Sequence, residues 1–314
     1  MSVNKMLQLN AYRKEINLDI PFDPELDNPL RSSLYKESIE YVAQSLLNEP
    51  NSYVEGIATA TLEKKWAYIR FALTVRPALP LSNELIRHIN QILQVERSFK
   101  KIVQATDLSP VRNNTKVNSS MLPKEIVLWQ GDITELAADA IVNAANSALL
   151  GCFQPYHKCI DNAIHGAAGP QLRADCAVIM DLQGYAESTG TAKITRAYNL
   201  PSTYVLHTVG PIVPNGNEVI AEQRAQLASC YSSCLSLAAE IENIRSIAFC
   251  GISTGVFGYP KEEAADVAVN EVIRWIEEYP GRFDQIIFNV FAEEDRLIYE
   301  KVLSQINREE VPNE

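Results

Sequence analysis

Five short apolar runs in the second part of the chain constrain its fold more than any other feature. They read EIVLWQ (125–130), DAIVNA (139–144), TYVLHTV (203–209), SIAFC (246–250) and QIIFNVF (285–291). Each is rich in β-branched or aromatic residues, which is typical of strands that are buried on both faces. Helical patterns separate or follow them, over 161–176, 219–242, 261–278 and 293–306. This alternation predicts an α/β domain whose sheet is covered by helices on both sides.

The first hundred residues follow a helical pattern instead. Apolar residues recur there at three- and four-residue steps, which predicts amphipathic helices over 32–47, 59–73 and 82–99. The polar segment 105–123 is rich in Asn and Ser and is typical of a linker. We therefore predict two domains: 1–120, a small helical N-terminal extension with its linker, and 121–314, the α/β domain.

Composition excludes several classes of function. The net charge of −11 argues against sequence-independent binding to nucleic acid or to an anionic membrane, because both require a basic surface. Six cysteines in 314 residues are too few for a disulfide scaffold. The first residues have no apolar core of signal-peptide type, and no apolar run reaches the length of a membrane span. We expect a cytoplasmic protein with reduced thiols that binds neither nucleic acid nor membranes.

One loop concentrates metal-binding side chains. The segment GCFQPYHKCIDNAIH (151–165) holds two of the six cysteines and two of the four histidines. Cys152, His157 and Cys159 are spaced C-x4-H-x-C, and two thiolates with an imidazole form a ligand set that zinc prefers. Three protein ligands leave one position for water or substrate, as in catalytic zinc sites. The alternative is a pair of reduced thiols beside an unrelated surface histidine.

Polar residues follow the predicted strands, where ligands bind in open α/β sheets. Asp132 could accept a hydrogen bond from an adenine amine, and Asn143 with Asn146 could bind ribose hydroxyls. The glycine-rich turn 251–258 offers hydroxyls and backbone amides to a pyrophosphate, and Phe257 within it could stack on a sugar or base. Taken singly, each has a structural alternative: Asp132 and Asn146 could be caps, the glycines a turn, and Phe257 a core residue.

Together these segments resemble one family. The order GDIT, IVNAAN, CIDNAIHGAAG, TYVLHTVGP and FCGISTGVFGYP is similar to the motif series of the macrodomain, an ADP-ribose-binding module. The resemblance covers roughly 124–303 and implies a three-layer α/β/α fold with a mixed sheet. Most hydrolytic macrodomains have a glycine-rich loop ending in Val-Asp-Gly after NAAN, whereas this chain has GCFQPYHKCIDN. That replacement resembles a zinc-dependent subfamily, whose members often carry a helical N-terminal extension.

The resemblance also implies roles for particular residues. Zinc would be held by Cys152, His157 and Cys159. Catalysis would involve Asp161, as base or water-positioning group, and Asn146. The ADP-ribose-binding residues would be Asp132, Ile133, Asn143, Asn146, Ser253, Thr254, Gly255, Val256 and Phe257. His165 and His207 match common macrodomain positions, but their apolar surroundings favour structural roles, and the remaining four cysteines are expected to be packing thiols.

The function that the resemblance implies is a zinc-dependent hydrolase that removes mono-ADP-ribose from protein side chains. Such enzymes reverse modification by sirtuin-type transferases, and a lipoyl-carrier protein is one candidate substrate. A reader that binds ADP-ribose without chemistry and a phosphatase acting on ADP-ribose phosphoesters are the alternatives. A zinc-stabilised interaction scaffold explains fewer residues. The sequence leaves open whether the cleaved linkage is an ester to Asp or Glu, an ether to Ser, or a bond to Arg.

Overall fold

The structure is a computed structural model that describes residues 7–24, 26, 32–49, 54–113, 122–214 and 218–306. It divides into two compact units, and neither is continuous in the sequence. The first comprises Met1–Lys101, Leu149–Tyr185 and Arg196–Leu200. The second comprises Ile102–Ala148, Ala186–Thr195 and Pro201–Glu314.

A six-stranded sheet forms the centre of the second unit. Its strands are β2 (Ile126–Gln130), β4 (Ala140–Ala145), β5 (Ala192–Arg196), β6 (Tyr204–Val209), β7 (Ser246–Phe249) and β8 (Gln285–Val290), and a separate pair is formed by β1 (Val103–Gln104) and β3 (Leu136–Ala137). The sheet order is β2-β8-β7-β4-β6-β5. The pairs β2–β8, β8–β7, β7–β4 and β4–β6 are parallel. The five predicted strands therefore exist, each within a residue or two of its expected bounds.

The edge strand β5 was not predicted. Gly190 N donates to Val209 O and Thr208 Oγ1 donates to Thr191 O, so the start of β5 lies beside the end of β6. β5 therefore runs antiparallel to β6, and the sheet is mixed, as predicted. The sequence AKITR hides this strand because Lys193 interrupts its apolar pattern. That lysine is nonetheless buried, and its ammonium group donates to Glu187 Oε1 at 2.7 Å.

Three helices pack with this sheet, namely α7 (Ala221–Ala239), α8 (Lys261–Glu278) and α9 (Glu293–Gln305). α7 contacts β6 and α8, and α9 contacts α8, β2 and β8. The predicted α/β fold is confirmed. Among the described residues, no helix combines the length and the apolar character that crossing a membrane would require.

The first unit is helical. It contains α1 (Leu9–Tyr12), α2 (Ser32–Leu47), α3 (Leu62–Val75), α4 (Asn83–Ser98), α5 (Ile160–Ala168) and α6 (Pro170–Gln183). The three helices predicted in the first hundred residues are α2, α3 and α4, and the hydroxyl groups of Thr61 and Ser82 cap the last two. The helix predicted over 161–176 is wrong as a single element. Gly169 has a φ of +96° and Pro170 begins α6, so the chain turns between α5 and α6.

A polar seam inside the first unit joins α4 to distant parts of the chain. Asn199 Nδ2 donates to Asn90 Oδ1 and to Ala168 O, both at 2.9 Å. Gln94 Nε2 donates to Asn199 Oδ1, also at 2.9 Å. These side chains are buried, and buried polar groups are costly unless they are paired. The seam therefore fixes the register of α4 against the end of α5.

The predicted linker is partly ordered. Val103 and Gln104 pair with β3, and Ala105 and Val111 are buried within the second unit. Residues 114–121, where the predicted domain boundary falls, lie outside the described residues. The division at 120/121 stays a prediction.

Candidate functional site

The three predicted metal ligands come together in the first unit. Cys152 Sγ lies 3.4 Å from His157 Nδ1, and the ligand atoms of Cys152, His157 and Cys159 all lie within 4.8 Å of one another. All three side chains are half-buried. Cys159 is also the N-cap of α5, and its Sγ accepts a hydrogen bond from the Asn162 amide at 3.5 Å. The loop thus leads directly into a helix N-terminus.

This donor set fits zinc. Zinc–sulfur bonds of about 2.3 Å and zinc–nitrogen bonds of about 2.0 Å place tetrahedral ligands roughly 3.5 Å apart, close to the Cys152–His157 distance. Burial raises the pKa of the Cys159 thiol to about 11, and the nearby Cys152 adds to the rise. A bound cation would favour the thiolate form of Cys159, whose burial otherwise disfavours the charged form.

Backbone geometry brings this loop close to α5. Leu149 and Gly151 have positive φ angles of 57° and 83°. A Cβ at position 151 would lie 3.1 Å from the His165 ring, so only glycine combines this conformation with that approach. His165 is buried, and its Nε2 lies 3.4 Å from Asp161 Oδ1. The packing against Gly151 supports the structural role expected for His165.

Asn162 was given no role by the sequence, yet it holds the loop together. Its Nδ2 donates to Gln154 O at 2.6 Å and to His157 O at 2.9 Å. One side chain therefore fixes the turn that carries the imidazole ligand. The available signal was its position three residues after the helix N-cap, where side chains commonly reach back to the preceding backbone.

We predict that Asn162→Ala weakens zinc binding by about tenfold or more, because outer-shell partners of metal ligands commonly contribute tenfold to hundredfold in affinity. Competition with a chromogenic chelator measures the change. Asn270→Ala is the matched control, since Asn270 Nδ2 also donates to a backbone carbonyl, that of Asp266, on α8. Equal zinc affinity in the two variants would contradict a role for Asn162 in the loop.

Asp161 lies two residues after the metal-ligand candidate Cys159, and its predicted catalytic role stays a prediction. It lies in the first turn of α5, is 4% exposed, and contributes to the raised pKa of Cys159. The carboxylate is therefore within electrostatic range of that thiol. A helix N-terminus stabilises a negative charge, so this position suits an ionised carboxylate.

The remaining predicted residues lie in the second unit, and all except Asn143, which lies within β4, follow the carboxyl ends of its parallel strands. Asp132 follows β2, Asn146 follows β4, and the turn 251–258 follows β7. Because these strands are parallel, their carboxyl ends meet at one edge of the sheet, as ligand sites in such sheets require. Asp132, Asn146 and the turn 251–258 therefore lie along one edge of the sheet, and their roles in binding adenine, ribose and diphosphate stay predictions.

Asp132 also has the capping role that the sequence left open. Its Oδ1 accepts from Thr134 N at 2.9 Å and from Thr134 Oγ1 at 2.7 Å, and Ile133 begins the short 3₁₀ turn that follows. Asn146 caps similarly, since its Oδ1 accepts from Ala148 N at 3.0 Å. A carboxylate can accept more than two hydrogen bonds, so the capping role of Asp132 does not prevent it from also binding an adenine amine. The adenine-binding role of Asp132 stays a prediction.

Asn143 is fully buried inside β4. Its Nδ2 lies 3.2 Å from His207 Nδ1, and Thr195 Oγ1 lies 3.0 Å from His207 Nε2. Burial lowers the pKa of His207 to about 3, so its imidazole is neutral and joins three strands through hydrogen bonds. This supports a structural role for His207, and the ribose-binding role of Asn143 stays a prediction.

The turn 251–258 has an unusual backbone. Ser253 has a φ of +65° and is 5% exposed, while Val256 is 73% exposed. Tyr259 N donates to Ser253 O and Gly258 N donates to Gly255 O, both at 3.0 Å, which folds the turn back on itself. A Cβ at Gly210 would lie 2.0 Å from Ser253 Oγ, so glycine there makes room for the turn.

The other four cysteines have the packing role expected of them. Cys176, Cys230, Cys234 and Cys250 are all buried. Burial raises the pKa of Cys230 to about 11 and those of Cys176 and Cys234 well above the ordinary thiol value. Burial thus keeps the thiols of Cys176, Cys230 and Cys234 protonated, and all four cysteines pack in the interior.

Comparison with known proteins identifies the family of this chain. The Macro domain family matches residues 142–268. A protein of Treponema medium named protein-ADP-ribose hydrolase is 44% identical over 270 residues, which are 86% of this chain and 99% of that protein. The chain belongs to the macrodomain family.

Two further comparisons extend over most of the chain. A Fusarium oxysporum f. sp. cubense protein named probable bifunctional ADP-ribose hydrolase/ADP-ribosyltransferase is 38% identical over 287 residues, 88% of this chain and 48% of that protein. The crystal structure of a Trypanosoma brucei macrodomain in complex with ADP-ribose is similar with a TM-score of 0.54 and 34% identity. That likeness covers 74% of this chain and 94% of the trypanosomal chain.

Proposed function

We propose that this macrodomain is a zinc-dependent hydrolase that removes mono-ADP-ribose from modified protein side chains. The observation that carries the proposal is the group of Cys152, His157 and Cys159, half-buried on a loop that leads into the helix bearing Asp161. The activity named for the Treponema medium relative supports it. A purely ADP-ribose-binding module has no need of a three-ligand metal position beside a buried carboxylate.

Zinc held by Cys152, His157 and Cys159 would supply a Lewis acid that polarises an oxygen at the reacting ribose. Three protein ligands hold the metal while leaving it accessible to substrate or water. Asn162 would keep the His157 segment of the loop in place by binding two of its carbonyl groups. The chain's own contribution at this point is therefore to hold the donor atoms in a fixed arrangement.

Asp161 would provide the proton chemistry. Its carboxylate would accept a hydrogen bond from a water molecule and orient it, or take its proton, as general bases do. The helix N-terminus stabilises the charge that this role requires. Asn146 would assist by binding the ribose through its amide, consistent with its place at the carboxyl end of β4.

ADP-ribose would bind along the carboxyl edge of the sheet. Asp132 and Ile133 would bind the adenine, Asn143 and Asn146 the distal ribose, and residues 253–257 the diphosphate and its neighbouring sugar. The ligand in the Trypanosoma brucei structure supports ADP-ribose as the bound group.

We predict that Asp132→Ala weakens ADP-ribose binding by about 1–3 kcal/mol, the usual loss when a buried polar group has no partner. Isothermal calorimetry with ADP-ribose, AMP and NAD measures this, and ADP-ribose should bind best to the wild type. Asp132→Asn is the control for the cap, because its amide oxygen can still accept from the Thr134 amide. Unchanged affinity in both variants would mean that the adenine is held elsewhere.

The physiological role would be to reverse an ADP-ribosyltransferase of the sirtuin type, with a lipoyl-carrier protein as one candidate substrate. The name of the Fusarium oxysporum relative, which joins hydrolase and transferase, supports the pairing of the two activities. The proposal is tested by incubating the wild type with proteins mono-ADP-ribosylated through ester, serine or arginine linkages. Release of ADP-ribose from at least one is expected. If the protein binds ADP-ribose tightly but releases it from none of these substrates, its function is that of a reader, which binds ADP-ribose without cleaving it.

A further inference from the structure

One buried arginine of α6 contacts both the metal-binding loop and the N-terminal helices of the first unit. Arg173 is 6% exposed, and its Nε donates to Leu150 O at 2.7 Å. Its Nη1 donates to Leu73 O at 2.8 Å and to Arg76 O at 2.6 Å. The guanidinium fork therefore spans two segments that are about seventy residues apart in sequence, which no spacing pattern could reveal.

The carbonyls of Leu73 and Arg76 belong to the C-terminal end of α3. The last carbonyls of a helix have no partner within it, and a cation there also interacts favourably with the helix dipole. Arg76 is itself fixed, because its Nε lies 2.9 Å from Glu49 Oε2, just beyond α2. An ion pair therefore ties the end of α3, which Arg173 contacts, to the segment after α2.

On the loop side, the contacts of Arg173 bracket Cys152. Leu150 lies two residues before this ligand, and the Phe153 ring, directly after it, stacks on the guanidinium at 4.6 Å. Burial lowers the pKa of Arg173, while Asp161, Cys176 and Cys152 oppose that change. The positive charge is therefore within electrostatic range of both the candidate base and one metal ligand.

We propose that Arg173 is a positioning residue that holds Cys152 in ligating geometry by joining the loop to the end of α3. The N-terminal helices then have a function in this macrodomain: they form the anchor of the metal loop. The inference rests on the proposed function only in taking Cys152 as a zinc ligand. It requires no particular linkage or substrate.

The experiment compares Arg173→Lys with Arg97→Lys in the full-length protein. Arg97 is the matched control because its Nη1 also donates to two backbone carbonyls, Asn199 O at 3.2 Å and Leu200 O at 3.1 Å, away from the loop. Lysine keeps the charge but cannot reproduce the planar fork. Zinc affinity is measured by chelator competition, thiolate ligation by the absorption bands of the cobalt-substituted protein, and folding by thermal denaturation.

We expect Arg173→Lys to bind zinc at least about tenfold more weakly, in the range of other outer-shell changes, with altered cobalt–thiolate bands. Arg97→Lys should retain zinc affinity within about twofold even if both variants lose similar stability. Phe153→Leu provides a second route should Arg173→Lys not fold, because Phe153 is 40% exposed and its loss removes only the stacking contact. A lower zinc affinity in Phe153→Leu would support the proposal.

The positioning role would be overturned if Arg173→Lys and Phe153→Leu had the same zinc affinity and the same cobalt bands as Arg97→Lys. It would also be overturned if the wild type bound no zinc. A wild type that binds zinc but releases no ADP-ribose would overturn the proposed function alone. The zinc measurements on the variants would still decide the role of Arg173.

Discussion

Cys159→Ala is expected to lose most of the bound zinc and at least about a hundredfold in the rate of ADP-ribose release from a mono-ADP-ribosylated protein. The wild type should contain about one zinc per chain, because Cys152, His157 and Cys159 form one three-ligand site. Metal polarisation contributes several kcal/mol at a transition state, and each 1.36 kcal/mol corresponds to about tenfold in rate. Metal analysis and release assays on protein purified under reducing conditions measure both effects.

The control for this substitution is Cys234→Ala, which removes a buried thiol from α7 without touching the loop. It should retain zinc and activity, although the small cavity it leaves costs some stability. Full zinc occupancy in Cys159→Ala would place the metal elsewhere and remove the basis of the mechanism.

Asp161→Asn is expected to reduce ADP-ribose release by about a hundredfold or more, the usual scale for loss of a general base. Asparagine preserves the size of the side chain but cannot take a proton from water. Zinc content and affinity for free ADP-ribose should change little, because the metal ligands and the predicted adenine and diphosphate groups remain. The effect should therefore lie in kcat at saturating substrate.

Asp175→Asn is the matched control. Asp175 lies on α6, is also buried, and accepts a hydrogen bond from the Tyr198 hydroxyl at 2.5 Å. It should lower stability without changing the rate of release by more than a few-fold. A release rate in Asp161→Asn close to that of the wild type would exclude this carboxylate from the chemistry.

The sequence predicts the parts of this fold whose pattern is local. The strand at 285–290 is predicted closely because it is a nearly continuous apolar run, and the helix at 261–278 because its apolar residues recur with a period of about 3.6. β5 was missed because its buried lysine is paired with Glu187, a contact that apolar patterns do not encode. The break at Gly169–Pro170 was readable from the residues themselves, since glycine and proline commonly mark helix ends and starts.

The site divides in the same way. The spacing of Cys152, His157 and Cys159 within one loop was sufficient to predict that their ligand atoms lie together. Arg173 could not be identified from sequence, because its partners come from α3 and from the loop. The sequence also could not show that Asn143 is fully buried against His207, since strand pairing sets that contact.

Removing zinc from the wild type with a chelator and restoring it tests the account most directly. The zinc-free and the zinc-restored protein are compared on the same preparation. For each, we measure the rate of ADP-ribose release from a mono-ADP-ribosylated protein that the wild type hydrolyses, and the affinity for free ADP-ribose by calorimetry. Release should fall at least about a hundredfold and recover with zinc, while the affinity changes by only a few-fold. Release that continues undiminished without zinc would contradict the account, because zinc would then have no part in the chemistry.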